Sequence, residues 1–217
     1  MIYLLLSLFA LFYTLSSSKV LNTGDAGEFA SGGITLGLAH PSGYPLYMEL
    51  LKLFSFLPLG SLPFRMVLVS IAFSLLSLYL LYLILLRLTG DKYVSMFSVV
   101  LLGVSYSFWG QSVVMKFYPL NLFIISIMLY AGIKVILEGY DRRYQFLVSF
   151  LIGLTLANHH TGIMMVIPFL GLSFFYLRDV LRNLPLSLAF FIAGFFANLH
   201  ICLLYTSPSP RDRQKSR

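Results

Sequence analysis

Uncharged apolar runs alternate with short polar breaks along most of this chain. Residues 2–18 carry no charge and are apolar to about Leu15. They fall a little short of the roughly 20 residues that a helical span needs. They also lack the basic start of a signal peptide and show no obvious small-x-small cleavage site, so a first transmembrane helix is the better reading. Residues 66–86 hold no charge and are bounded by Arg65 and Arg87, which makes them the clearest span. A tight Thr89-Gly90-Asp91-Lys92 turn follows. Residues 93–115 predict a third span ending near Trp109-Gly110-Gln111, and 117–133 predict a fourth. Residues 144–177 are uncharged and too long for one helix. They predict two spans joined by a polar turn at Asn158-His159-His160-Thr161-Gly162. A seventh span is expected over 184–203. The fold class is therefore all-α, a polytopic transmembrane helix bundle of about seven spans.

The stretch 19–63 breaks this rhythm. Glycines 24, 27, 32, 33, 37 and 43 punctuate it. Pro45 suits the first turn of a helix through 46–57. There Glu49 and Lys52 share one face, with Leu50, Leu51, Phe54 and Leu57 on the other, the pattern of an interfacial amphipathic helix lying on the membrane. Pro58, Gly60 and Pro63 end it. A long first extracytoplasmic loop of about 18–63 with short interfacial helices is thus predicted. Residues 1–203 read as one transmembrane domain. Residues 204–217, with Tyr205-Thr206-Ser207-Pro208-Ser209-Pro210-Arg211, resemble translated sequencing-adaptor sequence and read as a non-native tail.

Composition agrees with a bilayer. Of 217 residues 59% are hydrophobic and 11% charged, which excludes an ordinary soluble domain. The 20 Phe and 14 Tyr suit lipid-facing surfaces and interfacial belts. The net charge of +7 overstates the basic surface, because Arg211, Arg213, Lys215 and Arg217 crowd the last seven residues. No basic patch is interleaved with exposed aromatics, so nucleic acid is excluded as a partner. Cys202 stands alone, which leaves no intrachain disulfide and no cysteine metal site.

Lys and Arg set the orientation. Arg87 and Lys92, then Lys134, Arg142 and Arg143, then Arg178 and Arg182 mark cytoplasmic loops. The polar clusters at Asp25/Glu28, His40 to Pro45, Trp109 to Tyr118 and Asn158 to Gly162 then all fall on the extracytoplasmic side. Separated clusters on one face are what a composite site requires.

Asp25 and Glu28 are the candidate catalytic groups. Carboxylates beside a bilayer are costly and usually functional. Partial desolvation raises a carboxylate toward the range useful for a general base. Their spacing also fits a capping box, with Asp25 as N-cap and Glu28 at the third helical position. His159 and His160 point about 100° apart on a helix, not at metal-ligand spacing, and equally suit a polar turn. His40 before Pro41 suits a turn as well. Arg65 either snorkels at the end of a span or grips a lipid phosphate with its planar fork. Trp109 and Tyr118 fit an aromatic belt.

Several blocks, in order, resemble one family: Asp25-Ala26-Gly27-Glu28-Phe29, Leu36-Gly37-Leu38-Ala39-His40-Pro41-Ser42-Gly43-Tyr44-Pro45-Leu46, Arg65, Phe108-Trp109-Gly110-Gln111-Ser112 with Tyr118 and Asn121, and Asn158-His159-His160-Thr161. The chain is similar to the protein O-mannosyltransferase-like membrane proteins of the GT-C glycosyltransferase superfamily, over about residues 1–200. The resemblance implies an integral, multi-pass protein of the bacterial inner membrane or endoplasmic reticulum, here as an N-terminal fragment. It implies an inverting transfer of a sugar, mannose above all, from a polyprenyl-phosphate donor to a protein or glycan acceptor. Asp25 would be the base and Glu28 its support. Arg65, His159 and His160 would meet the phosphate or sugar, and His40, Tyr44, Trp109, Gln111, Tyr118 and Asn158 would line the substrate site. Phosphate is a fair leaving group, so the implied chemistry requires no metal and no cofactor. One position departs: where the family often carries an acidic residue before its Tyr-x-Leu-Asn segment, this chain has Lys116. A transporter and a non-catalytic membrane scaffold stand as alternatives.

Overall fold

The computed structural model describes residues 1–21, 24–41 and 43–199, without the side chains of His160, Ile163 and Ala197. The predicted end of the seventh span, over 200–203, and the predicted tail lie outside the described residues.

Every regular element among the described residues is a helix, with no strand. The helices are α1 (Ile2–Ser16), α2 (Ala26–Thr35), α3 (Pro45–Ser55), α4 (Leu62–Thr89), α5 (Lys92–Gly103) and α6 (Tyr106–Ser112). They continue as α7 (Tyr118–Glu138), α8 (Arg142–Asn158), α9 (Val166–Phe175), α10 (Leu177–Arg182) and α11 (Leu184–Phe195). A 3-10 turn, His160–Met165, leads into α9.

Local chemistry explains the boundaries. Ser61 caps α4 by accepting from the Phe64 N–H, and Pro63 sits in the first turn. Gly90, at φ 68°, closes the helix as the left-handed residue that a glycine adopts without strain. Asp91 caps α5 and Asp141 caps α8.

Two helices, α4 and α7, are long and apolar enough to cross a membrane, and the α5–α6 pair makes a third if counted as one span. The remaining apolar helices α1, α9 and α11 are shorter. The difference from the predicted pattern has local causes. The run 93–115 does not stay straight. It bends by 68° between α5 and α6, where Ser105 caps the new helix through the Phe108 N–H. The run 144–177 breaks at His159 as expected, but a 3-10 turn takes up the first residues after the break.

Side-chain contacts give the directions. α4 and α7 run the same way: Ser70 bonds Lys116 just before α7, and Arg87 pairs with Glu138 at its last residue. α8 returns, since Lys134 lies over the Tyr144 ring at one end and Phe117 stacks on His159 at the other. α11 follows α8 in parallel, with Phe146 stacked on Phe190 at 5.2 Å. Gly153 and Gly194 allow this pair to close up, because a Cβ on either would collide with the backbone of the facing helix.

Polar chemistry is thereby sorted to the two ends. Asp25, Lys116 and His159 lie at one mouth of the bundle, while Arg87, Lys134 and Glu138 form an ion-pair cluster at the other. α3 differs from its predicted posture. Its buried stripe is Tyr47, Met48 and Leu51, packed among α2, α4 and α8, so the helix is a docked wall of the mouth. Lys52, expected on the open polar face, donates to the Ile34 carbonyl at 2.7 Å.

Candidate active site at one mouth of the bundle

The floor of this mouth is aromatic. Phe29 is fully buried and meets His40, Tyr44, Tyr47 and Phe117 within 5.5–6.2 Å between ring centres. Tyr44 leans on Phe117 at 4.5 Å, and His159 stacks on both. Tyr44 takes φ 50°, a left-handed backbone that a bulky residue seldom adopts. The turn between His40 and Pro45 forces this, since Pro45 must start α3 while the Tyr44 ring points into the floor.

Two carboxylates stand on this floor, each with a cationic or imidazole partner. Glu28 accepts from the His40 backbone N–H at 2.5 Å and meets His40 Nδ1 at 2.8 Å. A carboxylate there keeps the proton on Nδ1 of the neutral ring, which leaves Nε2 to accept from the Tyr44 hydroxyl at 3.1 Å. Asp25 accepts from the Lys116 ammonium at 2.6 Å. That hydrogen bond is the main reason the Asp25 carboxyl lies below the usual carboxylate range; desolvation opposes it more weakly, and the Lys116 charge adds to the lowering. The raised value expected for a carboxylate beside a bilayer is thus reversed in the resting protein.

The predicted capping box is absent. Asp25 is the residue before α2, but its side chain makes no cap hydrogen bond, and Glu28 turns away to His40. Lys116 takes the Asp25 carboxylate at 2.6 Å, and His40 takes Glu28 through both its ring and its backbone N–H, so neither is left to cap α2.

The third segment enters from the end of α8. His159 Nδ1 meets the Thr161 hydroxyl at 2.7 Å, and Asn121 of α7 reaches the same hydroxyl at 3.5 Å. Asn158 is buried, and neither amide atom has a hydrogen-bond partner among the described residues. A buried amide in that condition is available to a polar ligand or water. The backbone of His160 opens the 3-10 turn; its side chain lies outside the described residues.

Other predicted residues stand apart. The Arg65 guanidinium is spent on three carbonyls, those of Leu59, Ser55 and Gly60 at 2.9–3.1 Å, and so closes the end of α3. Trp109 donates to Ser16 at 3.0 Å and stacks on Phe12, which ties α6 to α1. Gln111 and Tyr118 line a separate groove of about 400 Å³ between α4, α6 and α7, which Asn121 also borders.

Sequence reasoning passed over Lys116 as a working residue, along with Phe29, Phe117 and Thr161. A signal was there: Lys116 is the single charge between Tyr93 and Ile133.

The family described as the Protein O-mannosyl-transferase TMEM260 N-terminal domain matches residues 25–183, which begins at Asp25 and takes in the mouth. A Mus musculus protein named Protein O-mannosyl-transferase TMEM260 is 26% identical over 197 residues, which is 87% of this chain and 28% of that protein. A Dictyostelium discoideum protein named Protein O-mannosyl-transferase tmem260 is 24% identical over 190 residues, 80% of this chain and 23% of that protein. The chain thus spans about a quarter of the length of these relatives. No solved structure matches.

Proposed function

The chain belongs to the family of the Protein O-mannosyl-transferase TMEM260 N-terminal domain, and from that premise we propose that its mouth is the reaction end of an inverting membrane glycosyltransferase. The donor is a sugar, mannose, on a polyprenyl-phosphate carrier, and the acceptor is a hydroxyl, on protein above all. Asp25 takes the acceptor's proton. The acceptor oxygen bonds to the anomeric carbon as the bond from that carbon to the phosphate oxygen breaks, and polyprenyl phosphate leaves with the electron pair. Glu28 holds His40 and Tyr44 in place around the acceptor. Asn158 and His159 face the sugar.

One observation carries the reading: three segments far apart in the chain, 25–44, 116–121 and 158–161, meet at one mouth around Asp25. Lys116 and Phe117, neighbours in sequence, join the carboxylate to the aromatic–histidine stack. Such a gathering at one end suits a transferase better than a file of polar groups along a transport path. The reading also takes the apolar helices as seven crossings of a GT-C-like bundle, with the mouth outside the cytoplasm.

The test uses the full-length protein in membranes. Labelled mannose on a polyprenyl-phosphate carrier should pass to a serine- and threonine-bearing peptide, and no transfer in a competent preparation would sink the proposal. On a Cys202→Ser background, a cysteine at residue 25 should react with an impermeant reagent from outside, while one at residue 142 should not.

A further inference from the structure

We propose that Lys116 is a phosphate-binding residue that rests on Asp25, so that an arriving phosphoryl group and the carboxylate compete for one cation. The inference rests on the reading of Asp25 as the base, and it adds an order to the reaction. The donor phosphate must draw Lys116 away before Asp25 is released to take a proton.

The geometry at Lys116 supports an exchange. Its ammonium lies 2.6 Å from Asp25 Oδ2, and the two side chains are 28% and 40% exposed. A pair that open to water is held weakly. A phosphate, with several charged oxygens, is a stronger partner for the same ammonium. The backbone of Lys116 is pinned on both sides: Ser70 accepts from its N–H at 3.2 Å and donates to its carbonyl at 3.0 Å. Only the flexible four-carbon stem remains to swing, which gives the charge reach without moving the start of α7.

Two other cations on this side, Arg65 and Lys52, are committed elsewhere. Arg65 is closed on three carbonyls, and Lys52 is bonded to the Ile34 carbonyl. The groups facing Asp25 are Lys116, from the approach to α7, and His40, from the loop after α2, itself held by Glu28. When the cation leaves, the main force holding the Asp25 carboxyl in its weakly basic state leaves with it.

The experiment uses full-length protein in nanodiscs, with farnesyl phosphate as probe and inorganic phosphate as the tail-free arm. Binding is read calorimetrically. The Asp25 carboxyl is titrated by isotope-edited infrared spectroscopy, as the difference between wild type and Asp25→Asn. Farnesyl phosphate should bind the wild type and move the Asp25 midpoint upward. Lys116→Met should weaken binding by about tenfold or more, the scale of one lost charged hydrogen bond. Its Asp25 midpoint should start near the ordinary carboxylate value and ignore the probe. Lys116→Arg should keep binding. The same response to inorganic phosphate would assign the site to the phosphate alone, and a response to the farnesyl form only would assign it to the lipid headgroup; either supports the proposal. An Asp25 midpoint unmoved by saturating probe in the wild type overturns it without recourse to any variant. So does equal binding by Lys116→Met. Neither readout needs sugar transfer. Displacement of Lys116 in a protein that transfers nothing would defeat the catalytic reading and leave this one standing.

Discussion

Replacing Asp25 by Asn separates folding from chemistry, because the structure shows how little of the fold depends on the charge. The substitution keeps the size and one oxygen acceptor at the mouth. It removes a charged contact of 2.6 Å whose partners are 28% and 40% exposed. Pairs of that exposure contribute about 0–1 kcal/mol. No helix cap is lost, since the Asp25 side chain makes none. Lys116 is left reaching water, and its backbone stays tied to Ser70. The thermal unfolding midpoint in detergent should therefore stay close to wild type. Turnover should fall by about 10²–10⁴, roughly 3–5 kcal/mol in barrier, as expected when a general base is removed. Asp25→Ala should follow the same pattern, because neither variant disturbs a cap. The assay is transfer of labelled sugar from polyprenyl phosphate by the full-length protein in membranes, with unfolding followed in parallel. Wild-type turnover by the Asn variant would refute the assignment and move the base to Glu28 or His159. A large loss of stability would show instead that the Asp25–Lys116 pair is structural.

Three further outcomes follow from the same contacts. Arg65→Lys should lower thermal stability by roughly 1.5–3 kcal/mol for each charged hydrogen bond to a carbonyl that a lysine cannot replace, with the Michaelis constant for donor unchanged; a raised constant at unaltered stability would restore Arg65 to the phosphate. Glu28→Gln should slow turnover through loss of the His40 tautomer, and Tyr44→Phe in the same background should add little, because both act on one ring; additive losses in the double variant would break the chain from Glu28 to Tyr44. Asp25 is held below its ordinary value, so its pairing stabilises the fold above the ordinary carboxylate range and is lost as pH falls through the lowered value. The small difference in melting temperature that the pair contributes between wild type and Asp25→Asn should accordingly vanish in acid, and a difference that persists below both values would contradict the pairing.

The long apolar runs, the Pro45 helix start, the Gly90 and Asp91 turn and the break at His159 were all legible, because each depends on local chemistry. The family was legible from blocks of unusual residues in fixed order. The partner of each carboxylate was not. A capping box and an ion pair share the same two letters at the same spacing, and the outcome turned on Lys116, 91 residues away from Asp25. Arg65 shows the same limit. At the end of a span it is snorkel, phosphate grip or helix closure by sequence, and only the nearness of the α3 carbonyls selects the third. The bend after Gly103 was hidden because apolar composition continues across it, with Ser105 as the one local sign.

α4 carries two anchors close to its start. Arg65 grips the end of α3, and Ser70 grips the backbone of Lys116. With 28 residues the helix is about 42 Å long, against a hydrocarbon core of roughly 30 Å. A helix longer than its bilayer accommodates by tilting. Both anchors sit at one end, and α2 is packed on α3 with Phe29 against Phe117, so a tilt carries Asp25, α3 and Lys116 together. Lipid of different thickness then reorients the mouth as one body and leaves the reach between Asp25 and its cation unchanged.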